Sequence, residues 1–538
     1  MDDLDALIDT LLSKTLPERV GSAVGKPERK IVRDAVWGMI ELLPHEALII
    51  DTPLFQRLRG IFQTGFTYFV YPCAVHSRFE HSLGCLRLAA RYLDAMESRI
   101  AVEREAGKQG PVLTPALRVT VRLAALLHDV SHCIFSHVSE SVYKRDTRIH
   151  NARARILKQL PPSEKTADIG AAEVLTYCLL TSRRFSSFFE EVRKAVTEQI
   201  LPCDVSPENI ARLIVGVPPK EQQNYAFMAH IINGPFDVDK VDYQTRDGYF
   251  TGVALPVDEA RLLASLCIVQ DQQTGHHELA VDHRGIAPIE QLLFNRMLLY
   301  DSVYHHHKIR AAVQLFERYV DSPEKLSLEW LLEHDEYDFF GSRNTPPELT
   351  QLILRLRHRN LPRRAVIIHQ STINHPGDLE DDVWWEIMQK LFSARESDRE
   401  YGRNWFDKVR KLIPKHLPPH MHEQFYLDVP NPPKYMKIQR GSKIAFSDGS
   451  VGTLDDVFPI TTALNSYAQK CKYRVYVFAD VPDHRTAIAA AAYKAFREVG
   501  MSLNEDAFRL AKLDPKDVTQ AAGETIPKRE KQDLLRGR

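Results

Sequence analysis

From about residue 34 to 320, apolar side chains recur three and four positions apart, alternating stretches are few, and Pro and Gly mark the turns. That period belongs to helices that bury one stripe each, so this part of the chain is expected to be a mainly α domain. Ser77-Arg78-Phe79-Glu80 has the Ser-x-x-Glu form of a capping box, directly ahead of Leu83, Leu86, Ala90 and Leu93. His81 is therefore expected in the first turn of a helix. Val119, Leu123, Leu126, Leu127 and Val130 trace a second buried face that ends at His128 and Asp129. Between 237 and 249, Asp239, Tyr243 and Asp247 stand four apart on one face of a third helix.

A chain of 538 residues exceeds what one hydrophobic core normally serves. The texture divides it into an N-terminal segment (1–33), the helical domain (34–320), a smaller α+β region (321–514) and a polar, basic tail (515–538) expected to fray. Within the third part, 381–401 is polar and Trp-containing, 413–433 reads as a Pro-rich linker, 435–438 and 473–478 as short strands, and 485–499 as an Ala-rich helix. Seventy Lys and Arg balance seventy-one Asp and Glu, which leaves no global field to draw nucleic acid or an anionic membrane. Seven scattered cysteines without a Cys-x-x-Cys pair point to neither a disulfide framework nor a zinc knuckle. With an acidic N-terminus and no run of about 18 apolar residues, the expectation is a cytoplasmic protein that does not span a membrane.

His-Asp pairs occur twice. His334-Asp335 stands in an acidic stretch without further ligands, whereas His128-Asp129 has His81 one helix upstream, His132 and His137 just downstream, and Asp239 in another helix. Two imidazoles and two carboxylates suit a divalent Fe, Mn, Zn or Mg ion and leave positions open for water and phosphate. The competing reading is a set of core or interface histidines. Burying three of them on and beyond one apolar helix is costly, however, without a charge or metal to meet them.

At this point the motifs become specific. Asp51-Thr52-Pro53-Leu54-Phe55-Gln56-Arg57-Leu58-Arg59, Tyr68-Phe69-Val70-Tyr71-Pro72 and His76-Ser77-Arg78-Phe79-Glu80-His81-Ser82-Leu83-Gly84 are followed by His128-Asp129-Val130-Ser131-His132-Cys133-Ile134-Phe135-Ser136-His137 and Phe236-Asp237-Val238-Asp239-Lys240-Val241-Asp242-Tyr243. The ordered set resembles the deoxynucleotide triphosphohydrolase branch of the HD superfamily, over roughly 30–308 and more faintly 350–480.

The resemblance implies an all-helical HD core and a metal held by His81, His128, Asp129 and Asp239. It implies hydrolysis of a dNTP at the α-phosphorus to deoxynucleoside and triphosphate, with Mg accompanying the nucleotide. His132, His137 and Glu140 match residues of the acid–base apparatus, and His150 matches a further histidine only with shorter spacing. Arg78 and Lys240 match phosphate contacts, although a surface salt bridge is the plainer reading of each. Gln63 and Asp247 match contacts to the 3′ hydroxyl. Tyr243 matches a ring that excludes a 2′ hydroxyl, or else is a core aromatic. Lys30, Asp51, Gln56 and Arg59 match an effector-nucleotide site, or else form an ion-pair network. If they bind an effector, the protein is a nucleotide-activated homo-oligomer, a dimer or tetramer. By analogy alone, dNTP control or antiviral defence would follow.

The departures also carry weight. Ser131 and Ile134 replace a motif glycine and proline, and Met297 and Asp301 stand where the family has Arg and His ahead of its His-Lys pair, here His307-Lys308. The run His305-His306-His307 reads as a solvated or interface feature before a second metal site. Two further functions therefore stay open: a phosphodiesterase or nuclease acting on oligonucleotides or a signalling nucleotide, and a nucleotide-sensing regulator without catalysis.

Overall fold

The computed structural model describes residues 3–20, 28–107, 110–161, 169–320, 325–341, 345–374, 383–393, 396–430, 442–458, 467 and 472–529. The expected strand at 435–438 lies outside them. Two compact units emerge, interleaved along the sequence: the first takes 1–299, 319–353 and 435–459, the second 300–318, 354–434 and 460–538.

The first unit is mainly helical, as the apolar period requires. Helix Pro115–Leu127 is apolar on nearly every face, with Leu117, Val121, Leu123, Ala124, Leu126 and Leu127 buried, and so runs through the core. Helix Arg78–Glu105 packs along it, and Val238–Thr251 packs on Arg78–Glu105. Two small sheets join these helices. Lys30–Asp34 and Gly38–Leu42 form an antiparallel hairpin. A four-stranded sheet pairs Leu266–Gln270 with His277–Asp282, then Lys443–Ala445 in parallel, then Val451–Thr453.

The second unit is α+β. A three-stranded antiparallel sheet has Val475–Ala479 between Arg363–Ile368 and Phe425–Asp428. Helix Arg485–Glu498 buries Ile488, Ala489, Ala492 and Phe496 in the same core as Val475 and Val477.

Four expected boundaries are corrected. The segment 1–33 is no separate piece: helix Asp3–Thr15 buries Leu4, Ile8, Leu11 and Leu12 in the first unit, and Asp5 holds Arg155 at 2.8 Å. The division at 320 moves, because Leu328, Trp330, Leu331 and Leu332 bury into the first unit while residues 300–318 belong with the second. The expected linker at 413–433 contains strand Phe425–Asp428, whose side chains are all buried. The tail is ordered through 529: Asp514 caps helix Pro515–Ala522, and Val518, Ala522 and Ile526 are buried.

Candidate metal centre

Three helix ends converge in the first unit. At the start of Arg78–Glu105 the Ser77 hydroxyl accepts the Phe79 N–H at 3.3 Å, while Glu80 accepts the Ser77 N–H at 2.9 Å. This reciprocal cap fixes the first turn and places His81, fully buried, just inside it. Helix Pro115–Leu127 ends at His128, with Asp129 next in the chain. Asp237 caps Val238–Thr251 by accepting the Lys240 N–H at 2.8 Å, which puts Asp239 in that helix's first turn.

Nε2 of His81 lies 3.1 Å from Asp239 and 3.5 Å from Asp129, and the His81 and His128 rings are 5.2 Å apart. Each imidazole is held from behind at Nδ1. His128 bonds the Ala125 carbonyl at 2.8 Å, and His81 bonds Asp242 at 2.7 Å. Both therefore turn Nε2 inward, in the arrangement by which outer partners orient metal-ligating histidines. Nε2 of His128 is buried without a hydrogen-bond partner, 3.4 Å from Asp129. An orphaned acceptor beside two carboxylates and a second inward nitrogen fits a divalent cation.

The electrostatics agree. Burial would raise the Asp129 pKa, but Arg78, His128 and His132 outweigh it and hold the carboxyl well below its ordinary range. Burial acts likewise on Asp239, and the His81 contacts overcome it. Burial disfavours a charge on His81, yet its contacts, the bonds to Asp239 and Asp242 among them, more than offset this and raise its pKa. Asp129 and Asp239 thus set negative charge beside Nε2 of His81, a place that favours a cation.

His81, Cys85 and His128 offer ligand atoms within 4.8 Å of one another, and among the described residues this is the group suited to hold a metal ion. Cys85 was not singled out from the sequence. Its sulfur lies 3.7 Å from both ring nitrogens of His81, hence over the ring face, and burial pushes the thiol pKa up. A protonated thiol over a ring face is a poor ligand, so Asp129 and Asp239 are the better partners for the two imidazoles.

The other expected residues divide. Nε2 of His132 is 3.2 Å from Asp129; burial and the neighbouring Arg78 push its pKa down to about 4, so it is neutral at pH 7. The exposed His137 ring lies 5.4 Å from that of His132, and its Nδ1 is 3.3 Å from Glu140. Burial raises the Glu140 pKa, but the bond to His137 brings it down to about 2. His150 is exposed on helix Thr147–Gln159, and no hydrogen bond or ion pair ties it to this cluster among the described residues. The chain turns at Asp146, which caps that new helix, so His150 is not brought to the site.

Arg78 is buried. Nε donates to Ser136 at 3.0 Å, one Nη pairs with Asp129, and the other Nη has no hydrogen-bond partner. Lys240 is turned onto Asp237 and the Gly234 carbonyl, 2.9 Å away. Gln63 has a buried Oε1 without a hydrogen-bond partner, Tyr243 is half-buried, and Asp247 is bonded to His76 at 2.8 Å. The four expected effector residues form linked pairs: Lys30 with Asp51, and Gln56 with Arg59 at 2.8 Å, the latter guanidinium lying 3.6 Å over the Phe79 ring.

Asp242 is a further residue to which the sequence alone assigned no role. It braces His81 and is itself held by Arg246 at 2.9 Å, which reaches Asp34 at 2.8 Å. A Cβ at position 84 would stand 1.8 Å from the Asp242 carboxylate, so Gly84 is what permits this approach. The signal was present in the i, i+4 spacing of Asp242 and Arg246. The departures also find explanations. The Ser131 hydroxyl bonds the Ala172 carbonyl at 2.9 Å and Thr176 at 2.7 Å. Asp301 binds Lys472 at 2.9 Å and Arg474 at 2.6 Å within the second unit. The second His-Asp pair is a helix junction: His334 stacks on Trp330, and Asp335 accepts the Asp338 N–H at 2.9 Å.

The HD domain model matches residues 78–204, and the HD associated region model matches 257–394. An uncharacterized protein of Methanocaldococcus jannaschii, MJ1154, is 30% identical over 439 residues, covering 81% of this chain and 76% of that protein. The deoxynucleoside triphosphate triphosphohydrolase SAMHD1 homolog of Dictyostelium discoideum is 28% identical, covering 73% of this chain and 76% of its own. The human SAMHD1 of the same description is 28% identical over 57% of this chain, which spans about half (51%) of its length. The crystal structure of a hypothetical protein from Aquifex aeolicus has the same fold, with a TM-score of 0.54 at 20% identity over 86% of this chain and 100% of that one. The ordered motifs, the inward-facing histidines and these relatives together make the chain a member of the HD superfamily of metal-dependent phosphohydrolases.

Proposed function

We propose that the protein hydrolyses deoxynucleoside triphosphates to deoxynucleoside and inorganic triphosphate. The observation that carries this reading is the junction of Arg78 with Asp129: a buried guanidinium with one unpartnered Nη beside the candidate metal ligands, as a triphosphate-binding site needs. His81, His128, Asp129 and Asp239 would hold the divalent ion, with Mg accompanying the nucleotide. When bound, that ion supplies Lewis acidity to the phosphoryl oxygen and to the attacking water. Arg78 grips the α-phosphate region. Lys240 must leave Asp237 to add a second positive charge. His132, being neutral, orients the water by accepting its proton, while His137, positioned by Glu140, donates one to the departing 5′ oxygen. Gln63 and Asp247 read the 3′ hydroxyl, and Tyr243 closes the space at C2′.

Activation by a nucleotide at Lys30, Asp51, Gln56 and Arg59, in a dimer or tetramer, belongs to the same proposal. It requires an effector that prefers one assembly state. A phosphodiesterase or nuclease is the second reading, favoured by Met297 and Asp301 standing where the resemblance expects an Arg and a His. A screen of the four dNTPs with Mn or Mg, with and without GTP, set beside short single-stranded DNA and RNA, separates the two. Deoxynucleoside and triphosphate are expected; cleavage of oligonucleotides alone would replace the first reading with the second.

A further inference from the structure

The carboxyl of Glu336 is 1% exposed and is not part of the centre described above, yet it binds two of the backbone segments that build that centre. One oxygen accepts the Phe62 N–H at 3.0 Å and the Phe135 N–H at 2.7 Å; the other is buried without a hydrogen-bond partner. Phe62 precedes Gln63, and Phe135 precedes Ser136 and His137. Ser136 in turn donates to the Phe62 carbonyl at 2.7 Å and accepts from Arg78. Phe135 and Ser136 have φ of 55° and 52°, a left-handed backbone that non-glycine residues hold only when surrounding contacts impose it. The turn bearing Glu336 is fitted closely to this place: a Cβ at position 60 would stand 2.0 Å from the Asp335 carboxylate.

We infer that Glu336 is a positioning residue, a buried clamp through which the HD associated region holds the Gln63 loop and the strained Phe135–Ser136 turn in the geometry that aims Arg78 and His137. An apolar side chain there would leave the Phe62 and Phe135 N–H groups buried without the acceptor that Glu336 supplies. Burial pushes its pKa up to about 8, against the pull of the two N–H groups. Arg57, Asp335, Tyr68 and Cys133 are the titratable groups that face it.

This inference rests on the proposed reaction only for its kinetic arm. With the full-length protein, Mn and a dNTP, Glu336→Ala is expected to lower kcat by about tenfold to a hundredfold. KM should rise with it, because Gln63 and Arg78 move, while bound metal stays at the wild-type level. Wild-type kcat and KM, or a fall in kcat matched by the unfolded fraction, would overturn the inference. Glu336→Gln keeps an acceptor oxygen and the shape, and should restore most of the turnover. Its Tm provides an arm independent of substrate. Glu336→Ala, which leaves both N–H groups without their acceptor, should unfold at a lower temperature than Glu336→Gln, and equal Tm values for the two variants contradict the clamp even if no dNTP is turned over.

Discussion

Asp242 touches neither the proposed substrate nor the cation position, yet it determines which nitrogen His81 presents. Replacing its carboxylate with an amide keeps the shape but weakens the bond at Nδ1 and unbalances Arg246, which is fully buried. Such outer partners typically contribute 10–100-fold to metal affinity or activity. Asp242→Asn is accordingly expected to weaken Mn binding by about that factor, with a cooperative unfolding transition retained; titration calorimetry with Mn checks it, and wild-type affinity would show that His81 needs no brace. The same scale explains the limits of reading the chain. The ordered His81, His128, Asp129 and Asp239 stood out because four potential ligands share strongly patterned helices. Asp242 was less legible because it stands off the four-spaced face of Asp239, Tyr243 and Asp247 and acts only through His81. Glu336 escaped because its partners are the backbone N–H groups of Phe62 and Phe135, which no side-chain pattern reports.

At the scale of elements, the helix starts were the most legible, because a cap is made by residues three apart. The Ser77–Glu80 box forms as the spacing predicts, and it sets the rotation of Arg78–Glu105 that buries His81. Ser77→Ala should cost about 1 kcal/mol of stability, read from urea denaturation. A loss near zero would mean that packing of Leu83, Leu86 and Leu93 alone fixes the helix start. The sheet of the first unit was not legible: Leu266–Gln270 and His277–Asp282 are short, and the latter's other neighbour, Lys443–Ala445, follows about 160 residues later. Nor was the helix Pro515–Ala522, whose few apolar residues look like a solvated tail until Val518, Ala522 and Ile526 are seen to be buried together.

At the scale of the molecule, length pointed to more than one core, but composition could not show that the two units exchange segments. Residues 319–353 return to the first unit and carry Glu336 to it, while 300–318 depart with the second. The texture change near 320 is thus a real boundary in composition and not the boundary in space. Asp301 lies in the second unit together with its partners Lys472 and Arg474. In the proposed reaction, His81, His128, Asp129 and Asp239 hold the ion on which hydrolysis depends. Metal content and dNTP turnover, measured together for the wild-type protein and for the double variant His128→Ala, Asp129→Ala, decide this. The wild type is expected to carry a divalent metal and release triphosphate, and the folded double variant to do neither. A double variant that retains metal and turnover would contradict it.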